Sequence, residues 1–176
     1  MAFRLRAARA SDQAAILAIQ IASWRDTYRG VLPDIFLDEE IEPALGEFWQ
    51  GAFSGRRRAG TLVVAAFGRE LAGFIAAWQV ADMAYIDSLH VRPGMRRAGI
   101  GRALLGFAAR RLAGQGCIGA SMHIAAENRA AARLLTRLGG QIAPPEPRLV
   151  FGHPVLESAV VWPDVTTLLA TVSEKA

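Results

Sequence analysis

Two glycines, Gly99 and Gly101, stand among Arg92, Arg96, Arg97 and Arg102, directly ahead of an apolar stretch that begins with Leu104 and Leu105. A strand that passes through such a loop into a helix exposes unpaired backbone N–H groups at the helix N-terminus, where the peptide dipoles add partial positive charge. Phosphate is the anion that such a corner takes most readily. Without a Cβ at either glycine the backbone can approach a ligand closely, and the four arginines are expected to bring donors and charge to the same mouth.

Two well-known phosphate loops are excluded. A P-loop needs GxxxxGK[ST], and a dinucleotide fingerprint needs GxGxxG with an acidic residue further on. Neither pattern occurs, and Lys175 is the only lysine. From Leu89 to Gly101 the chain instead reads LxVxPxxRxxGxG, with Pro93 after the strand and Asn128-x-x-Ala131 opening a second helix. On these residues the chain resembles the GNAT superfamily of acyl-CoA-dependent N-acetyltransferases. Trp24-Arg25-Asp26-Thr27-Tyr28-Arg29-Gly30 with Leu32-Pro33-Asp34 is similar to the first helix and loop of many small members, and the segment from Glu157 to Trp162 to their closing strand.

The resemblance covers nearly the whole chain and implies acetyl-CoA as the acyl donor. It implies pyrophosphate binding by Arg96 and by the backbone amides of Arg97, Ala98, Gly99, Ile100, Gly101 and Arg102. It further implies main-chain contacts from Leu89 and Val91 to the pantetheine arm and acyl carbonyl, and a contact from Asn128 to the same arm. The implied chemistry is direct transfer, in which a neutral primary amine of a small molecule or peptide attacks the thioester carbonyl. Tyr28, on the helix and loop that cover the acceptor site in similar enzymes, is the expected substrate contact. A homodimer is compatible with the resemblance.

Such a reaction needs a proton acceptor and a partner for the departing thiolate. Asp87, two residues before Leu89, is expected to share its face and to act as base directly or through water. An ordinary aspartate titrates near 3.9 and is a poor base at neutral pH unless its surroundings shift it, so an arginine-bound carboxylate is the competing reading. Many members carry a tyrosine acid on the helix after the asparagine; here that position is Leu135. Tyr85, expected on the face of Asp87, is the substitute, and water suffices in principle because a thiol near pKa 8.5 is a tolerable leaving group. Without an acid, a module that holds acyl-CoA and does not turn it over is the alternative. His90 is expected to face away from Asp87 and to be packed or at the surface, and His123, with Ser121 on its face, is the outside candidate. Glu39, Glu40 and Glu42 form a solvated acidic face or attract a cationic amine. No histidine–carboxylate spacing matches a metal site, so no metal is expected.

These residues need a scaffold that period and punctuation supply. Alternating Phe3, Leu5 and Ala7 predict a strand; Ser11 and Asp12 predict an N-cap ahead of a helix carrying Leu17, Ile21, Trp24 and Tyr28, ended by Gly30. Trp24, Tyr28 and Trp49 are expected as core or pocket wall. Segment 33–53, interrupted by Pro43 and Gly46, predicts one or two short helices. Segments 61–67, 71–80 and 83–91, at hairpin spacing, predict an antiparallel meander. Helix 99–112, strand 118–124 and helix 128–138 follow, and the long crossover makes the strands ending at Val91 and Ile124 parallel. After Pro144, Pro145 and Pro147, segments 148–151 and 155–162 predict a closing hairpin around Gly152. The expectation is one α/β (α+β) domain over 1–176, with a mixed, mostly antiparallel central sheet flanked by helices.

Composition agrees with that scale. The 176 residues suit a single core. No apolar run reaches the roughly 18 residues of a membrane span, and the N-terminal segment lacks a signal-peptide pattern, so a soluble cytoplasmic protein with no membrane partner is expected. Cys117 is the only cysteine, which excludes an intrachain disulfide. The net charge of +4 suits anionic ligands. Arg56, Arg57 and Arg58, without aromatic neighbours, are expected in a solvated loop and not in a nucleic-acid surface.

Overall fold

The strand alternation and hairpin spacings resolve into an eight-stranded sheet in a computed structural model that describes residues 3–53 and 59–173. The elements are β1 (Arg4–Ala7), α1 (Gln13–Thr27), α2 (Ile41–Phe53), β2 (Gly60–Phe67), β3 (Glu70–Val80), β4 (Met83–Val91), α3 (Ile100–Gly114), β5 (Gly119–Ala125), α4 (Arg129–Arg137), β6 (Gln141–Ile142), β7 (Glu146–Val150), β8 (His153–Trp162) and α5 (Val165–Ser173). The sheet order is β1-β2-β3-β4-β5-β8-β6, with β7 also paired to β8. Only β4 and β5 run parallel, joined through α3; every other pair is antiparallel. This is the expected mixed, mostly antiparallel sheet flanked by helices. The triplet Arg56, Arg57 and Arg58 lies outside the described residues.

The sheet separates two apolar clusters. On one face α3 buries Ile100, Leu104, Leu105, Ala108 and Leu112 against β2 to β5, joined by Leu135, Trp162 and Leu168. Each large aliphatic side chain removed from water there contributes about 1.5–3 kcal/mol, which fixes the helix and the loop ahead of it. On the other face α1 and α2 bury Ile16, Ile19, Trp24, Leu45 and Trp49 against Val64, Phe74 and Ala76. Trp49 Nε1 donates to Gln20 Oε1 at 2.6 Å, so the buried indole keeps a partner.

Pro43 does not split α2. The chain enters that helix through a widened turn, Phe36–Glu40, in which the Ile41 amide donates to the Phe36 carbonyl. This i→i−5 spacing makes room for a proline ring that would clash with an ordinary helical carbonyl. Ser11 and Asp12 also differ from expectation. The Asp12 carboxylate accepts from the Arg9 amide at 2.7 Å and pairs with Arg6, so it braces β1 and does not cap α1 with its side chain. The short strand β6, paired to β8, and the helix α5, which packs on α3 and adds Val165 and Leu168 to the first cluster, are absent from the sequence reading.

Candidate active site

Parallel pairing between β4 and β5 is brief. Met83, Ala84 and Tyr85 pair with Gly119, Ala120 and Ser121, and beyond Tyr85 the two strands have no shared ladder. The rest of β4 therefore presents backbone donors and acceptors to a gap. The register with β3 changes at the same place, since Ala77 pairs with Ile86 and Ala76 with Ser88, leaving Asp87 as the extra residue of a bulge.

That bulge reverses which residues face which side. Before it, Ala84 and Ile86 belong to the cluster under α3; after it, Leu89 and Val91 pack against that cluster, while His90 turns to Ser23 and Phe74 under α1. Two expectations are corrected: Asp87 does not share a face with Leu89, and His90 does not face away from Asp87, since the bulge leaves both on the α1 side. Strict alternation fails because two strand residues oppose one partner. His90 Nδ1 lies 3.0 Å from Ser23 Oγ, and burial, with Arg96 nearby, lowers its pKa to about 4.

Ahead of α3, Pro93–Met95 forms a single tight turn, Arg97 adopts φ +66°, and Gly99 caps the helix at φ +77° without a side-chain cap. Gly99 is thus accounted for by its left-handed backbone. Gly101 is not: a Cβ there would sit 3.7 Å from Val91 Cγ2 and 3.8 Å from Leu134 Cδ2, in ordinary contact. Neither conformation nor packing excludes a side chain at 101. The first backbone bond into the helix runs from the Ala103 amide to the Gly99 carbonyl at 3.0 Å. Among the described residues the amides from 97 to 102 have no acceptor, which is the donor set an anion needs.

The four arginines do not converge as expected. Arg92 donates to the Leu71 carbonyl and pairs with Glu70. Arg102 reaches the Thr171 and Val172 carbonyls at the end of α5. Arg96 pairs with Asp26 and contacts Ser23, clamping the loop to α1. Of these four, only the exposed Arg97 has a guanidinium without a partner among the described residues, so the loop offers backbone amides more than side-chain charge. Asn128 caps α4 by accepting from the Ala131 amide at 3.1 Å, leaving its side-chain N–H groups available. Leu135, where a tyrosine acid was sought, is 1% exposed in the core.

On the α1 side of the gap a polar group assembles. The Tyr85 hydroxyl is 3.4 Å from His123 Nδ1. Burial, then the charge of Asp87, raises the tyrosine pKa, so Tyr85 keeps its proton. Burial lowers that of His123, helped by Arg148. Asp87 is exposed and accepts from Ser88 Oγ at 3.0 Å. Tyr28, at the end of α1, stacks at 4.8 Å on Trp24, and burial raises its pKa, followed by the charge of Glu157. Its loop is braced by Arg25 on the Leu37 and Asp38 carbonyls and by Arg29 on Asp34 and Asp38. A cavity of about 390 Å³ lies beside that loop, lined by Gly30–Asp34, His153 and Pro154, and is separate from the 97–102 turn.

The sequence reading missed Glu157. It lies on β8 opposite Ala125 and is 9% exposed, with Arg148 Nε at 3.4 Å from its carboxylate. Burial raises its pKa, against the lowering effect of Arg148. The available signal was a carboxylate at the period-two position of buried Val155 in an apolar strand. Cys117 is buried, which raises its thiol pKa, and has none of the activation a nucleophile needs. Among the described residues no cluster of three or more histidine, cysteine or carboxylate groups could hold a metal, and no helix is long and apolar enough to cross a membrane.

A family model described as acetyltransferase (GNAT) matches residues 19–140. The chain belongs to the GNAT acetyltransferase family. Solved structures with this GNAT fold include the PaiA N-acetyltransferase from Thermoplasma acidophilum in complex with coenzyme A, at TM-score 0.69 and 17% identity over 90% of this chain and 98% of that one. An N-acetyltransferase from Rhodopseudomonas palustris superposes with TM-score 0.74 at 16% identity, covering 92% and 96%. The yncA structure from Salmonella typhimurium, with its cofactor acetyl-CoA, gives 0.65 at 21% identity, covering 93% and 95%. At such identities the structural likeness carries the fold alone. No curated protein sequence matches the chain.

Proposed function

We propose that this GNAT protein is an N-acetyltransferase that moves an acetyl group from acetyl-CoA to a primary amine of a small molecule or peptide by direct attack on the thioester. The observation that carries the reading is the pairing of two features of one sheet: acceptor-free amides at 97–102, and a gap beyond Tyr85 that opens toward a polar face. Acetyl-CoA supplies the activated acyl carbon. The amides of Arg97, Ala98, Gly99, Ile100, Gly101 and Arg102 hold its diphosphate, Leu89 and Val91 offer the free edge of β4 to the pantetheine arm, and Asn128 meets that arm with its side-chain N–H.

The chain's own groups divide the proton work. Tyr85, kept protonated by burial and by Asp87, supplies a proton to the departing thiolate. The proton of the incoming ammonium leaves to a carboxylate on the same face, where Asp87 and Glu157 both stand. Tyr28 borders the acceptor from a loop fixed by Arg25 and Arg29. Arg96 acts by holding the loop to α1. No nucleic-acid or membrane partner enters this reading, and the place of action is the cytoplasm.

Thiol release from acetyl-CoA with a broad panel of amines tests the reading. Amine-dependent release is expected. Tight acetyl-CoA binding with no release for any amine would instead support an acyl-CoA-holding module, which the leucine at position 135 in place of a tyrosine would allow.

A further inference from the structure

Resting on the acetyltransferase reading above, we propose that Glu157 is the catalytic base, taking the proton from the acceptor's ammonium, and that its face selects a cationic primary amine over a neutral nucleophile. The register places Glu157 on this face: it lies opposite Ala125 in the β5–β8 pair, His123 is opposite Ala159, and Tyr85 pairs with Ser121, so these side chains project from one side of the sheet. Val155, two residues earlier on β8, is packed under α1 and confirms the side. Asp87 is exposed at its bulge, whereas Glu157 is 9% exposed, at the depth where an amine can be desolvated before it attacks.

The groups around Glu157 come from every neighbouring element. Arg148 and Glu146 lie on β7, His123 on β5, Glu127 just beyond β5, Tyr85 on β4 and Tyr28 at the end of α1. Arg148 is about half exposed and shared with solvent, so it holds the carboxylate charged without neutralising the face. Burial pushes the Glu157 carboxyl upward from the ordinary range, toward the poise a base needs near neutral pH. In the step, the ammonium N–H bond breaks and its proton passes to Glu157. The freed nitrogen pair forms the C–N bond, the C–S bond breaks and the thiolate takes a proton from Tyr85 or water, while the second proton that the nitrogen sheds as the amide forms restores that donor. The proton gained by Glu157 returns to solvent past Arg148.

The test measures acetyl transfer against pH in the wild type, Glu157→Gln, Glu157→Asp and Arg148→Gln, with calorimetric acetyl-CoA binding for each. Glu157→Gln is expected to lower kcat by about 100-fold or more at neutral pH and to remove the acidic limb, with acetyl-CoA affinity nearly unchanged. Glu157→Asp should restore part of both. Arg148→Gln should move the acidic limb to higher pH, because loss of the cation favours the protonated carboxyl. A Glu157→Gln enzyme with the wild-type limb and near wild-type kcat overturns the proposal. A parallel fall in acetyl-CoA affinity in both glutamate variants overturns it as well, assigning the carboxylate to the fold. A wild type that binds acetyl-CoA and transfers to no amine sinks the underlying acetyltransferase reading, an outcome distinct from either.

Discussion

The Tyr85 hydroxyl stands 3.4 Å from Nδ1 of His123, across the two strands that part immediately after this pair. The hydroxyl is thereby held at the edge of the gap by a ring that is itself kept neutral by burial. Tyr85→Phe is expected to lower kcat by at least about 10-fold while leaving acetyl-CoA affinity unchanged. Steady-state kinetics with parallel calorimetry checks this, and an unchanged kcat would assign the leaving-group proton to water.

Leu135 gives a prediction about stability. At 1% exposure it belongs to the core under α3, so the family's usual acid cannot be restored there by substitution alone. Leu135→Tyr should destabilise the fold by about 1–3 kcal/mol through overpacking and should not raise turnover. Urea denaturation checks the first part, and a variant as stable as the wild type with faster transfer would contradict both.

His90 sets a pH dependence of folding. Its native pKa of about 4 lies below the ordinary 6.5, so the unfolded chain binds a proton that the native state refuses. The stability from neutral His90 is complete above about pH 6.5, falls as pH drops toward 4, and amounts to about 3 kcal/mol across that window. Glu157, whose carboxyl burial raises, contributes in the opposite sense, so the comparison must be with His90→Gln. The variant should be less stable at pH 7 and should lose less between pH 6.5 and 4. Parallel slopes for the two proteins would show that His90 does not set it.

Much of this architecture was written locally. The meander 61–91, the crossover through α3 and the hairpin about Gly152 follow from period and punctuation, because each element buries one stripe or one face. The loop 97–102 was legible for the same reason, as glycines between an apolar strand and an apolar helix. What was not legible depends on pairing between distant segments. The bulge at Asp87 exists only in the register of β4 on β3, and it alone reverses the sides of Leu89 and His90. Arg92 and Arg102 find backbone carbonyls of Leu71, Thr171 and Val172, partners that no spacing rule couples to them. Glu157 reads locally as one charge in a strand, and gains meaning only when β7 and β5 close on either side.

The most direct test of the account is calorimetric titration of acetyl-CoA into the wild type and Gly101→Glu. Ordinary contacts around the Gly101 Cβ position mean that the variant should fold, while its carboxylate brings a negative charge to the turn and should repel a diphosphate. Saturable binding to the wild type, and loss of at least about 100-fold in affinity in a folded variant, roughly 2.7 kcal/mol, is the predicted result. Equal affinity in the two proteins, or no binding to the wild type, would contradict the claim that this turn grips the cofactor.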